Sequence, residues 1–420
     1  MNLLSNNPLL EPEFISKLID EVPITPEMFR GMEFMPTVEQ EGEKIVVDVR
    51  RMVGGMTQAV AAGAPAKIVE RRGMWQDTFY PAFFKEKTVL GERDIGVLRK
   101  LGTIAEYEKG AEIMARIVGD LRKRVEVRIE WLRWQAVQGT VTIAQNDVQY
   151  AVDYGIPTSN TPTLTGTDVW TDLVNSDPLD DLLTWSQLYR SSGFMLDKIW
   201  FNKVVHRLLL QNEKIRQLRE TVYTGGNVQA KFMTPQVLQL LVEQWLGDMK
   251  LDLYDEGPFF VGGLTAACAA SNTVVVDDAT GIEAGATGTM IHTAGDRTAR
   301  EDVTVLSVSG NTITLTGVTT GTYPIGSSIR TRRTFIPDNA VILMGRLPAG
   351  ATGGGNWGEF VIVNSAYGPR GTLMDPKPGI FSETQEHSDK DPKSVEQISG
   401  FNGLPVMYYT DANVIATVAA

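Results

Sequence analysis

The sequence predicts an α+β protein of two or three structural units, interrupted by a separate all-β domain. Three observations carry that expectation. Apolar residues recur every three or four positions from 103 to 137. Capped helix starts alternate with short apolar runs between 177 and 247. At Gly262 the composition turns to Thr, Val, Gly and Ser and loses any helical period until Arg333. The 420 residues supply ample material for a core, and 43% hydrophobic against 21% charged residues excludes wholesale disorder.

Charge and special residues narrow the function classes. The 39 Lys and Arg against 51 Asp and Glu leave a net charge of −12, so no global field draws the chain to DNA or to an anionic membrane. Any nucleic-acid contact has to be local. Cys268 stands alone, and His206, His292 and His387 share no ligand spacing, which excludes a disulfide framework and a zinc cluster. The N-terminus lacks the basic and apolar regions of a secretory signal, and no stretch nears the roughly 18 apolar residues of a membrane helix. The expectation is a soluble protein made in the cytoplasm, with no membrane partner and with Cys268 as a small buried or half-buried side chain.

In chain order, the first 41 residues combine short apolar pieces with Pro8, Pro12, Pro23, Pro26 and Pro36, too interrupted for a long helix and too apolar for a free tail. They read as an arm that lies on something. KIVVDVRR at 44–51 and AKIVERRG at 66–73 have strand composition around a soft tip, a long hairpin with few large apolar residues of its own. Such a hairpin needs a partner. It carries Arg50 and Arg51 on one arm and Arg71 and Arg72 on the other. The stripe at 103–137 predicts a helix of 35 residues, roughly 50 Å long at 1.5 Å per residue. Its opposite face holds Arg116, Arg122, Lys123, Arg124, Arg128 and Arg133 against Asp120, Glu126 and Glu130, with Trp131 and Trp134 beside them. Phosphate contact and an ordinary solvated face both fit that pattern.

Asp177-Pro178 and Thr234-Pro235 each present a capping side chain followed by Pro at the first helical position, so helices start there, and a third is expected at 203–218 after the short buried strand KIWFN at 198–202. Between 262 and 333, runs such as NTVVVDD, VTVLSVSG and NTITLTG alternate as short strands. NTVVV at 272–276 echoes NTITL at 311–315, and Gly288 to Ile291 echoes Gly326 to Ile329, which suggests two related hairpins of one small barrel.

Chemical motifs are few. Gly353 to Gly358 formally matches G-x-G-x-x-G, but the strand-like EFVIVN follows where a dinucleotide site needs a helix. Walker, H-E-x-x-H and G-x-S-x-G patterns are lacking. Asp177, Asp180 and Asp181 suit the positive start of a helix better than a metal, and Asp277-Asp278 suits a turn. No catalytic residue, metal ligand or cofactor is expected.

Trp170 with DPLDDL at 177–182, KIWFNKVVHRLL at 198–209, FIPDNAVILMG at 335–345 and the closing GLPVMYYTDANVIATV resemble the major capsid proteins of tailed bacteriophages, in particular the lambda-type E family with the Hong Kong 97-type fold. The resemblance covers nearly the whole chain except 262–333 and implies names for its parts. Residues 1–41 become an N-terminal arm, 42–92 an E-loop hairpin, 93–175 a peripheral domain with the spine helix, 176–261 an axial domain, 262–333 an all-β insertion, 334–375 the axial domain continued and 376–420 peripheral C-terminal strands. It implies a non-enzymatic head protein that assembles with itself, as hexamers and pentamers, into an icosahedral shell around double-stranded DNA. Scaffold, portal and decoration proteins would be its further partners, and the host cytoplasm the place of assembly. Arg50, Arg51, Arg71 and Arg72 become candidates for contact between subunits, and Arg124, Arg128 and Arg133 candidates for facing the packaged DNA. Two other readings stay open, a tail component with a carbohydrate-binding β insert and an enzyme using the 353–358 loop.

Overall fold

The long apolar stripe becomes one helix in the computed structural model, which describes residues 29–50, 74–91, 104–145, 148–192, 194–222, 234–247, 249–277, 279, 282, 284–292, 300–346, 357–365, 376–387 and 394–419. The chain begins with β1 (Thr37–Glu39), β2 (Ile45–Arg50), β3 (Met74–Phe79), β4 (Ala82–Gly91), α1 (Ile104–Val137), β5 (Thr140–Gln145) and β6 (Val148–Asp153). It continues through α2 (Pro178–Ser192), β7 (Met195–Phe201), α3 (Lys203–Gln211), α4 (Glu213–Val222), α5 (Pro235–Leu246) and β8 (Lys250–Leu253). An all-β run follows, β9 (Phe259–Gly263), β10 (Cys268–Ala269), β11 (Thr273–Val275), β12 (Thr287–Ile291), β13 (Arg300–Ser309), β14 (Thr312–Leu315), β15 (Thr322–Tyr323) and β16 (Ser328–Arg332). The last strands are β17 (Ala340–Arg346), β18 (Gly358–Ile362), β19 (Asn364–Ser365), β20 (Lys377–Pro378), β21 (Phe381–His387), β22 (Ser394–Met407) and β23 (Asn413–Thr417).

Two sheets share α1. One runs β1-β18-β22-β21, with β4 also paired to β22, and the other runs β23-β17-β7-β8. Val125, Ile129, Leu132, Trp134 and Ala136 of α1 pack against Phe360 and Ile362 of β18 and Phe401 and Met407 of β22, but also against Trp200 of β7 and Ile342 and Met344 of β17. One helical stripe thus serves both sheets, and each large side chain buried there is worth about 1.5–3 kcal/mol. The other face of the second sheet is covered by α2, α3, α4 and α5, through Leu182, Trp185, Leu208, Ile215, Leu238 and Leu241.

Three differences from the expected layout have physical reasons. The helix expected at 203–218 is two helices, because the buried Asn212 stops the first and caps the second. Its Oδ1 accepts the Ile215 N–H at 3.1 Å, and its Nδ2 donates to Ser176 Oγ at 3.0 Å. β18, placed by sequence with the axial segment 334–375, pairs with β22 and β1 in the first sheet. β23, placed with the peripheral segment 376–420, pairs with β17, Ala340 opposite Thr417. The chain crosses between sheets after β17 and returns after β22, a strand exchange that contiguous boundaries cannot represent.

The all-β run forms one unit of order β11-β14-β13-β12-β16-β9. A bridge between Leu264 and Val276, with Asp277 N–H donating to the Gly263 carbonyl at 2.8 Å, joins its two ends into a closed barrel. Val274, Met290, Val305, Ile313, Leu315, Tyr323 and Ile329 fill it as a core of its own. The repeated segments do not form separate hairpins. They pair with each other, Val274 opposite Ile313 and Met290 opposite Ile329, so the echo is a local two-fold in the strand ladder. The barrel begins at Phe259, three residues before the compositional change, because β9 must pair with β16 along Phe259↔Arg332. Below that pair the entering and leaving chains form a stem, Arg333 N–H to the Pro258 carbonyl at 3.1 Å and Phe335 N–H to the Glu256 carbonyl at 3.0 Å. Gly257 is required there, since a Cβ would sit 1.7 Å from the Arg333 carbonyl oxygen.

Candidate intersubunit surfaces

The hairpin is rooted at its base. Ile45, 1% exposed, packs with Val152, Val361, Leu404 and Val406, and Phe79 lies opposite it in the ladder. Val46, the next residue, is 44% exposed. Its two strands pair only with each other among the described residues, from Ile45↔Phe79 to Arg50↔Met74, about 17 Å of ribbon at 3.4 Å per residue. Arg50 stands at the far end of this described ladder. Arg51, Arg71 and Arg72 lie outside the described residues, as do 1–28 of the expected arm and 353–356 of the glycine-rich loop. At the root, the Lys44 ammonium sits 5.2 Å from the Tyr80 ring.

The cations of α1 divide into three environments. Arg124 is exposed and ion-paired with Glu86 of β4. Arg128 is half-buried with its guanidinium 5.0 Å from the Phe84 ring and 5.2 Å from the Trp131 ring; burial lowers its pKa and the nearby Glu86 opposes that shift. Both tie the helix to the strand that continues from the hairpin. Arg133 corrects the expectation from sequence: it is 1% exposed, ion-paired with Glu130 at 3.3 Å and hydrogen-bonded to Thr37 Oγ1 at 2.7 Å, so it presents no charge to DNA. Glu126 is also buried, paired with Arg122 at 2.7 Å. Three- and four-residue spacing therefore identified the ion pairs but not their burial.

Sequence reasoning passed over Glu130. Its carboxylate is 0% exposed and accepts from Gly31 N–H at 2.6 Å, Trp134 Nε1 at 2.8 Å and Tyr254 OH at 3.1 Å. Burial pushes its pKa up, opposed by the Arg133 charge and these donors. The available signal was a Glu with Arg three positions on and Trp four positions on, inside an otherwise apolar turn.

Several other singled-out residues have structural partners. Asp177 Oδ1 accepts the Asp180 N–H at 3.3 Å as a helix cap, and Asp181 Oδ2 accepts Trp170 Nε1 at 2.8 Å. Asn202 caps α3 through Val204 and Val205 and donates to Asp338 Oδ1 at 2.6 Å, joining the KIWFN and FIPDN runs. His206 stacks on Phe201 at 5.7 Å, and burial lowers its pKa. Asp277 Oδ1 accepts the Gly263 N–H at 2.7 Å across the seam that closes the barrel. Cys268 is buried. Among the described residues no helix is long and apolar enough to cross a membrane.

Residues 15–239 match the family model described as phage major capsid protein E. No curated protein matches. Among solved structures, a prophage protein of Escherichia coli CFT073 assigned as a capsid protein is 14% identical, with 98% of this chain and 99% of that chain covered and a TM-score of 0.52. A phage-related protein from Bordetella bronchiseptica RB50 is 11% identical over 97% of each chain, TM-score 0.44. The mature capsid of bacteriophage PhiM1 is 10% identical over 94% of this chain and 88% of that one, TM-score 0.39.

Proposed function

The chain belongs to the phage major capsid protein E family, and on that premise we propose how its parts divide the work of building a shell. It is a major capsid protein with the Hong Kong 97-type fold, so its activity is association rather than turnover. The β2–β3 ribbon serves as the E-loop and lies across a neighbouring copy within pentamers and hexamers. The observation that carries this is that, among the described residues, its two strands pair only with each other and pack on the body through Ile45 and Phe79: a two-stranded sheet is marginal in water and gains order from a second surface. Arg50, Arg51, Arg71 and Arg72 meet carboxylates on that neighbour, where the planar guanidinium fork binds bidentately. Lys123 and Arg124, exposed on α1, are candidates to touch packaged double-stranded DNA non-specifically, Arg124 while paired with Glu86 of β4. The barrel stands off the shell on its stem. Scaffold, portal and decoration proteins are the further partners, and assembly takes place in the host cytoplasm.

The test is to replace 46–78 by a short Gly/Ser linker and follow the product by sedimentation and electron microscopy, alone and with the neighbouring phage genes. Folded subunits that form no closed shells are expected. Closed shells of normal size without the ribbon would overturn this reading.

A further inference from the structure

We infer that Glu130 is the positioning residue of the N-terminal arm: it anchors 29–39 into the subunit, so that only the residues before Phe29 are available to reach a neighbour. The inference rests on the expectation from sequence that the arm lies on a neighbouring subunit, but the anchor itself is a property of the single chain.

Two partners of one buried ion pair lie on a segment about a hundred residues earlier in sequence. Gly31 N–H donates to Glu130 at 2.6 Å, and Thr37 Oγ1 accepts from Arg133 at 2.7 Å. The rest of the site belongs to the body. Trp134 and Tyr254 donate to the same carboxylate, and the Arg133 guanidinium lies 5.5 Å from the Phe360 ring. An uncompensated buried carboxylate is strongly unfavourable, so a segment that supplies one of its few donors is held as firmly as the charge needs it.

Shape enforces the contact. A Cβ at Gly31 would sit 2.6 Å from Glu130 Oε2 and 2.9 Å from Arg133 Cδ, so the backbone reaches the carboxylate only because residue 31 has no side chain. Around this point the segment grips both sheets. Arg30 pairs with Asp252 of β8 at 3.1 Å, Glu33 with Lys198 of β7 at 2.7 Å, and β1 runs parallel to β18, Val38 opposite Val361. Phe34 meets the Trp134 ring edge-on at 5.1 Å, and Met35 is fully buried. A segment packed only for bulk would need neither the donor at Gly31 nor the acceptor at Thr37.

The test uses the unassembled full chain and reads hydrogen exchange by mass spectrometry with limited trypsin cleavage after Arg30. Glu130→Ala and Gly31→Ala approach the contact from opposite sides. Both are expected to raise exchange in 29–39 by about tenfold or more while peptides from 120–129 and from the barrel keep their protection. Glu130→Gln, which keeps an acceptor oxygen but not the charge opposite Arg133, should fall between wild type and Glu130→Ala. Unchanged exchange in 29–39 in both Ala variants, or loss only in step with the whole domain, overturns the anchor. Normal shells from a variant whose 29–39 segment is released would leave the anchor standing and overturn the reading of the arm as an intersubunit element.

Discussion

Gln239 on α5 behaves toward Leu251 of β8 as another strand would: its Oε1 accepts the Leu251 N–H at 2.9 Å while its Nε2 donates to the Met249 carbonyl at 2.8 Å. β8 is the edge of its sheet, parallel to β7, and a bare edge is a template for pairing with another chain. One side chain therefore covers backbone groups that would otherwise recruit a partner. Gln239→Ala should cost about 1–2 kcal/mol, chiefly from the two hydrogen bonds lost to β8 and its approach, with the exposed bond to Glu243 adding little, and should increase concentration-dependent self-association in sedimentation. A variant with wild-type melting and no added association would show that water covers this edge equally well.

The barrel should fold alone. Its core side chains form a cluster separate from those of the two shell sheets, and its chain enters and leaves through a single stem. Residues 258–334 expressed separately, and the remainder closed by a short Gly/Ser linker, should each give a cooperative circular dichroism melt. A remainder that melts without cooperativity would make the barrel part of the common core.

Within that barrel, Ala270 sits at φ 45°, in the left-handed region that L side chains avoid. Ala270→Gly should stabilise the isolated barrel by about 0.5–1 kcal/mol, a rise of several degrees in Tm for a domain of this size. A lower Tm would mean that the unfolded chain's gain in freedom outweighs the relief of strain.

Acid should loosen the first segment through Glu33. Burial pushes its pKa up, but hydrogen bonds from Arg30 and Lys198 outweigh that and hold it below the ordinary 4.5. A carboxyl depressed on folding stabilises above its unfolded pKa, and that contribution is lost as pH falls through the folded pKa. Thermal stability should therefore decline below about pH 4.5 in wild type, with a shallower decline in Glu33→Gln. Parallel acid limbs in the two proteins would exclude Glu33 as a contributor.

Reversing Arg50 and Arg71 to Glu addresses the ribbon. Monomer folding should survive, because Arg50 lies beyond the rooted pair Ile45 and Phe79 and a lone two-stranded ribbon adds little to the core, while assembly yield should fall steeply and shift with salt. Unchanged particle yield would return these arginines to the solvated surface.

Local signals in the sequence proved reliable where a single residue decides an outcome. The apolar stripe ends at Val137 as expected, Thr234 caps α5 by accepting from Val237, and Asp177 precedes a helix beginning at Pro178. What could not be read was non-local. EFVIVN and NVIATV are both short runs rich in Val and Ile, and which sheet each joins depends on partners elsewhere in the chain. Nor does the sequence distinguish Arg124 from Arg133, both on α1 near acids, one exposed beside Glu86 and the other enclosed with Glu130. Even the barrel's two-fold was half legible: the repeats were visible, but their mutual pairing was not.

The stem below the barrel has a consequence for recognition by the whole particle. Because Gly257 and Arg333 lie in backbone contact, each subunit offers its passenger domain from a narrow tether, and a closed shell would repeat that presentation once per copy at fixed spacing. A ligand that the barrel binds only weakly as a single domain would then be held by many copies at once. Its dissociation from the particle would slow by orders of magnitude with no change in any individual contact.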